Sequence, residues 1–343
     1  MIFGAVPVAQ ALGAVLAHSV PVAGGRLRKG RILDAADLAA LTGAGHRQVT
    51  VARLGSGDLD EDAAAQAVAR ALVPDPAASG LTVQAVGTGR VNILAADPGL
   101  ARIDAARVHA VNAVDPAITL ATVAEWHRMD PGGMLATVKI IPYGVDKTSV
   151  FMACQAGRAA LSLARPVLRH ATLIETIVAD EKPDGPVPAT DSKGYRITAE
   201  RLARLGVDLA AAECVAHDEA ALSRVLVDVA ARNAVDLILI LTASATSDSQ
   251  DTAPAALRRA GGAVAHFGMP VDPGNLLFIG DLRGVPVIGL PGCAKSPALN
   301  GADWVMERVI CGLTVTRAEI QSMGVGGLLK EIPTRPRPRQ PIG

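Results

Sequence analysis

A chain of 343 residues exceeds one ordinary core, and with half its residues hydrophobic and 19% charged it has apolar surface for two or three domains. Its 33 basic and 33 acidic residues cancel and aromatics make up 2%, which argues against a nucleic-acid partner on both charge and stacking. The longest apolar runs, 237–241 and 285–290, are far shorter than a membrane span.

The start, Met1-Ile2-Phe3, carries no basic leader, and Pro7 and Pro21 interrupt the next twenty residues, so no secretory signal is expected. Cys154, Cys214, Cys293 and Cys311 are scattered, with no C-x-x-C pair and no histidine at zinc-ligand spacing. They read as thiols of a reducing compartment, which predicts a cytoplasmic protein.

In chain order, residues 7–18 read as a short helix, followed by a Gly-rich turn with a basic tip at 24–30. An amphipathic run at 35–43 leads into a β-rich stretch at 48–54, and residues 1–57 form a small mixed module on this reading. Residues 58–72 predict a helix with Asp58 and Asp60 at its amino end and an apolar stripe of Ala65, Val68, Ala69 and Leu72. Pro74-Asp75-Pro76 ends it. Strands are expected at 81–94, interrupted by Gly87-Thr88-Gly89, and at 134–141. Between them, the apolar pattern of 103–123 breaks at Asp115-Pro116. Residues 58–165 are therefore assigned to an α+β domain.

From residue 167 strands and helices alternate, the pattern of a mostly parallel, doubly wound sheet. Strands are expected at 172–178, 209–215, 236–241, 276–279 and 285–290. Helices are expected at 198–205, from Asp218 to Asn233, from Pro254 onward, and at 297–311. The fold class is thus α/β, with this sheet in residues 166–315 preceded by the smaller mixed α+β region. Residues 316–343 form a tail that alternates Arg with Pro at 334–341.

Ligands of such sheets bind beyond the carboxyl ends of the strands, where the helices that come next offer their amino ends. Three loops occupy that position: 180–193, 242–251 and 291–296. The second holds five hydroxyl side chains and two carboxylates, suited to an anion, although a strand-to-helix junction rich in caps has the same composition. The third offers Gly292 for close approach, Lys295 for charge and Ser296 as a cap; a plain turn with a surface lysine is its alternative. Gly87-x-Gly89 lacks the third glycine of a dinucleotide fingerprint, and no G-x-S-x-G elbow exists. Weaker candidates are His266 and Met269 near Asp272, the polar set Arg90, Asn92, Asn112, Asp115 and Thr119, and the thiol of Cys293.

Residues 167–313 resemble the molybdopterin-binding domain shared by the MoeA, MogA and MoaB proteins. That family follows a strand with S-G-G-V-S-x-G-x-x-D or T-G-G-T-G; here 242–251 holds the place, with Asp251 on the final aspartate. The family's K-P-G-K-P resembles Val271-Asp272-Pro273-Gly274-Asn275, and its G-L-P-G-N-P-x-S resembles 289–296. Its D-x-N segment resembles Asp191-Ser192-Lys193, and an acidic turn resembles Asp218. The chain departs from the pattern at Ala243 and Ser244, which replace paired glycines, and at Cys293, Ala294 and Lys295. In the amino-terminal half, 27–30, 89–92, 111–116 and 324–328 resemble a divergent MoeA-like subgroup.

The resemblance implies binding of molybdopterin or its nucleotide derivative, in molybdenum-cofactor biosynthesis. It implies adenylylation of the pterin or metal insertion as activities, with Mg2+ or molybdate as accessory ligands. Asp251 and Asp191 would orient the pterin or hold a divalent cation. Thr242, Ser244, Thr246 and Ser247 would donate to its phosphate, and Lys295 would neutralise it. Asp218, Pro273, Gly274, Asn275, Pro291, Gly292 and Ser296 would complete the lining. A non-catalytic pterin carrier or sensor partnering a nucleotidyltransferase stays open, as does an unrelated phosphate-ligand enzyme on the same fold. A homo-oligomer is expected, because relatives of this kind assemble.

Overall fold

The computed structural model describes residues 1–178, 190, 192–232 and 234–330. The chain divides into two units, Met1–Asp97 with Ala101–Ala164, and Pro98–Leu100 with Arg165–Gly343. Among the described residues no helix is long and apolar enough to cross a membrane.

The first unit opens with a three-stranded antiparallel sheet in the order Ile2–Pro7, Gln48–Arg53, Val15–Leu16. Residues 7–18 are not the expected helix. A strand ends at Pro7, a single 3-10 turn spans Val8–Gln10, and Gly13 adopts φ 74° before the short strand. The apolar spacing Val8, Ala11, Ala14 imitates a helical period, but those residues instead fill a small core with Leu16, Leu33, Leu41, Val49 and Val51. The helix Ala35–Gly43 does form, closed by a capping box between Asp34 and Asp37.

The helix expected at 58–72 begins at Glu61, because Asp58–Asp60 pairs as a strand with Gly144–Asp146. Asp60 caps it, taking the Ala63 amide at 2.8 Å. Ala64, Ala65, Val68, Ala69 and Leu72 are buried in the core that includes Val91, Ile93, Leu135, Val138 and Ile140 of a four-stranded antiparallel sheet. Its order is Ile118–Thr122, Met134–Ile140, Arg90–Ala95, Leu81–Gly87. The run 103–123 resolves into a strand end, the helix Ala105–Val114 and a strand from Ile118. The polar set singled out there serves local structure: Asn112 bonds both backbone groups of Leu120, Asp115 takes the Ala117 amide, Thr119 donates to the Lys139 carbonyl, and Asn92 accepts from Thr137.

The second unit is built on six strands in the order Asp208–Ala216, His170–Ile177, Leu237–Leu241, Val285–Leu290, Phe278–Leu282, Ala263–Phe267. The first four run parallel and the last two antiparallel. All five residues of Leu237–Leu241 are buried, and they alternate between two cores. Leu237, Leu239 and Leu241 pack with Leu202, Val305 and Met306, from the helices Lys193–Ala203 and Gly301–Ile310. Ile238 and Ile240 pack with Leu222, Leu226 and Leu257, from Glu219–Ala230 and Thr252–Arg259. Each such side chain contributes about 1.5–3 kcal/mol by leaving water, which is why a strand lined on both faces reads as an unbroken apolar run.

Several boundaries differ from expectation. Ala263–Phe267 is an edge strand that the sequence did not predict, since its half-exposed alternation is short. Its neighbour starts at Phe278 rather than 276. The helix expected from 198 starts at Lys193, capped by Ser192, and the one expected from Pro254 starts at Thr252 with Pro254 inside its first turn. The last long helix starts at Gly301 rather than Pro297, because Asn300, not Ser296, supplies the cap. Helix Glu219–Ala230 stops short of Asn233, which lies outside the described residues, as do 179–189 and the Pro/Arg tail.

Candidate functional site

Strand register sets the geometry. Glu175 is paired with both Cys214 and Leu241, and Leu241 with Leu290, so four parallel strands reach the same level side by side. The loops beginning at Thr242 and Pro291 therefore leave adjacent strands on one edge, each leading toward a helix start.

The 242–251 loop is anchored from within. Thr242 is buried and donates its hydroxyl proton to the Ser244 carbonyl at 2.6 Å, with the buried Thr246 hydroxyl 3.4 Å away. Asp251 closes the loop: one carboxylate oxygen takes the Ser247 amide at 3.0 Å and the other the Thr252 amide at 2.7 Å. Burial works to raise the Asp251 pKa, but those two amides and the neighbouring His217 outweigh it and hold the carboxyl below its ordinary value. One oxygen thus caps the helix while the other closes the loop. Ser244 and Ser247 are exposed.

Three residues that the sequence reading did not single out join this edge. Thr176, buried at the end of its strand, accepts the Ala243 amide at 2.9 Å and meets His217 Nδ1 at 2.9 Å. One hydroxyl thereby ties three strand ends together. Glu175 beside it is also buried; Ser192, the cap of the next helix, donates to its carboxylate, and Gly194 leaves the space that the carboxylate fills. The signal was available as Glu175-Thr176, two adjacent polar residues near the end of a strand whose middle is buried. Asp218 takes the Ala221 amide at 2.8 Å as a helix cap. Asp191 lies outside the described residues.

The 291–296 loop is held by Arg201. Its guanidinium bonds Asp303 at 2.5 Å, the Ala294 and Ser296 carbonyls at 2.7 Å each, and the Ala298 carbonyl at 3.0 Å. Asn300, fully buried, caps the next helix and donates to Cys293 Sγ at 3.0 Å. The same helix start meets the other glycine-bearing segment. The Gly301 amide donates to the Pro273 carbonyl at 2.8 Å, beyond a cis Asp272–Pro273 bond, and Gly274 lies against Gly301. Asn275 folds back on Met269, its carbonyl taking the Met269 amide at 3.0 Å. Residues 271–275 and 289–296 are thus brought to one helix terminus. Lys295 is half-buried, and among the described residues it forms no ion pair; the space beside Gly292 is open. Gly289 has a packing reason instead, because a side chain there would strike the buried ring of Phe278.

Among the described residues no three His, Cys, Asp or Glu side chains are grouped to hold a metal ion. His266 lies on the edge strand and Met269 is buried in the core.

A family model described as a domain of unknown function (DUF8806) matches residues 5–53, and no curated protein matches the chain. Among solved structures the chain is similar to the molybdopterin biosynthesis MoeA protein from Pyrococcus horikosii, with 13% identity over 91% of this chain and 75% of that one, at a TM-score of 0.32. It is similar to molybdenum cofactor biosynthesis protein B, with 13% identity over 42% and 88% and a TM-score of 0.28. A molybdenum cofactor biosynthesis protein from Pyrococcus furiosus is 13% identical over 92% and 66%, with a TM-score of 0.24. Likenesses this distant carry no weight for ligand or activity, and the fold rests on the chain's own topology.

Proposed function

We propose that the second unit binds molybdopterin, or a nucleotide derivative of it, at the carboxyl edge of its parallel strands in service of molybdenum-cofactor metabolism. The observation that carries this reading is the convergence of 271–275 and 289–296 on the Asn300–Gly301 helix start, one strand away from the hydroxyl-rich 242–251 loop. Those are the segments whose sequences resemble the pterin-binding motifs. Exposed Ser244 and Ser247 would donate to the ligand's phosphate and Lys295 would neutralise it, since charge-assisted bonds dominate phosphate recognition. Thr242, Thr246, Asp218 and Asp251 act behind them by fixing loop shape, and Pro291, Gly292 and Ser296 carry the lysine.

Binding without turnover is favoured over catalysis by one feature: both carboxylate oxygens of Asp251 already hold backbone amides. Among the described residues no three His, Cys, Asp or Glu side chains are grouped to hold Mg2+. A nucleotidyltransferase would then be the partner that consumes the bound pterin. Self-association belongs to the same proposal, with light scattering at micromolar concentration as its check. The decisive test is calorimetric titration with molybdopterin, its adenylylated form and plain nucleotides. Saturable binding of the pterins alone is expected; equal affinity for plain nucleotides, or no pterin binding, rejects the reading.

A further inference from the structure

The first unit carries a second anion-receptive place. Strands Val20–Val22 and Gly25–Leu27 pair as a hairpin, and the turn after it reverses again, with Arg31 donating its amide to the Arg28 carbonyl. The two bends gather Arg26, Arg28 and Lys29 around Ser19, and these four residues line an open concavity of about 720 Å3.

Two contacts hold it in shape. Arg26 donates to the Ser19 carbonyl at 3.1 Å, and the Lys29 amide donates to the Ser19 hydroxyl oxygen at 3.1 Å. A hydroxyl that accepts from an amide keeps its own proton for a ligand. The next cation, Arg31, is neutralised by Asp37 at 2.7 Å and Asp34 at 3.7 Å. Arg26, Arg28 and Lys29 have no carboxylate partner among the described residues. The chain's formal charge is zero, so three unneutralised cations in one concavity make a local positive potential, with no large apolar side chain in the lining.

We propose that this concavity binds a small soluble ligand bearing a di- or triphosphate. Two guanidinium groups can each clamp phosphate oxygens in a bidentate fork, the lysine adds a point charge, and Ser19 donates a neutral hydrogen bond. A concave site suits a compact ligand, whereas a polyanionic surface or duplex is drawn by an excess of charge that the chain as a whole lacks.

The test is titration of the full-length Lys295→Ala protein with inorganic pyrophosphate at low salt, a background that removes the cation of the sheet-edge site. Binding is expected to persist in that background. It should weaken about tenfold or more on adding Arg28→Ala and Lys29→Ala, with the thermal midpoint unchanged because both side chains are exposed. The proposal is overturned if the Lys295→Ala protein does not bind pyrophosphate, or if the added substitutions leave affinity unaltered. It is overturned equally if phosphatidylserine vesicles retain the protein and pyrophosphate does not compete, which would make a membrane surface the partner.

Discussion

The Oδ2 atom of Asp251 lies 3.0 Å from the Ser247 backbone nitrogen, closing the hydroxyl-rich loop across four residues while Oδ1 holds the Thr252 amide. Asparagine offers one acceptor oxygen where aspartate offers two. Asp251→Asn should therefore keep the helix cap and release Ser247, and Asp251→Ala should lose both. Expected stability losses, read by thermal or urea unfolding, are at the lower and upper ends of about 0.5–2 kcal/mol respectively. Equal stability of all three proteins would remove the closing role.

The same carboxyl predicts an acid-side effect. Its pKa is lowered in the folded chain, so its contribution is present above the unfolded value, about 3.9, and fades as pH falls through the folded one. The stability difference between wild type and Asp251→Ala should be constant near neutrality and shrink below about pH 4. A difference that grows on acidification would contradict the assignment.

Gly274 has φ 141°, and a Cβ placed on it would come within 2.8 Å of the Gly301 nitrogen. Neither backbone can yield without breaking the Gly301-to-Pro273 hydrogen bond. Gly274→Ala is expected to cost about 1–3 kcal/mol and to weaken pterin binding through loop displacement. Gly292→Ala meets open space and should be nearly neutral for stability. The ordering of the two in a urea series is the check.

Arg201 and Asp303 are both largely buried, and the guanidinium also holds three carbonyls of the 294–298 segment. Arg201→Met should destabilise by about 3–5 kcal/mol, because it strands a buried carboxylate and frees the loop. A midpoint shift typical of a surface substitution would mean the pair contributes little.

Lys295→Ala should leave stability within about 0.5 kcal/mol and weaken molybdopterin about ten- to a hundredfold, while sparing an unphosphorylated pterin. Equal losses for both ligands would show that Lys295 does not contact phosphate.

What the sequence determined by itself is what acts within a turn or two of chain. The amphipathic run Ala35–Gly43 forms its helix, Asp218 marks a helix start, and the unbroken run Leu237–Leu241 declares a strand buried on both faces. Each rests on a hydrogen bond or a period closed over a few residues. Where local pattern and long-range packing disagreed, packing won: Val8, Ala11 and Ala14 repeat every three residues, yet they fill a core completed by Leu41 and Val51. Only the tertiary structure decided the strand order, the antiparallel pairing of Ala263–Phe267, and the meeting of Thr176 and His217 with the 242–251 loop. Those contacts join residues separated by tens of positions, so their geometry depends on register across the sheet. Phe278 covering Gly289 makes the point within one motif, since the glycine is required by a ring that sequence spacing alone does not place there.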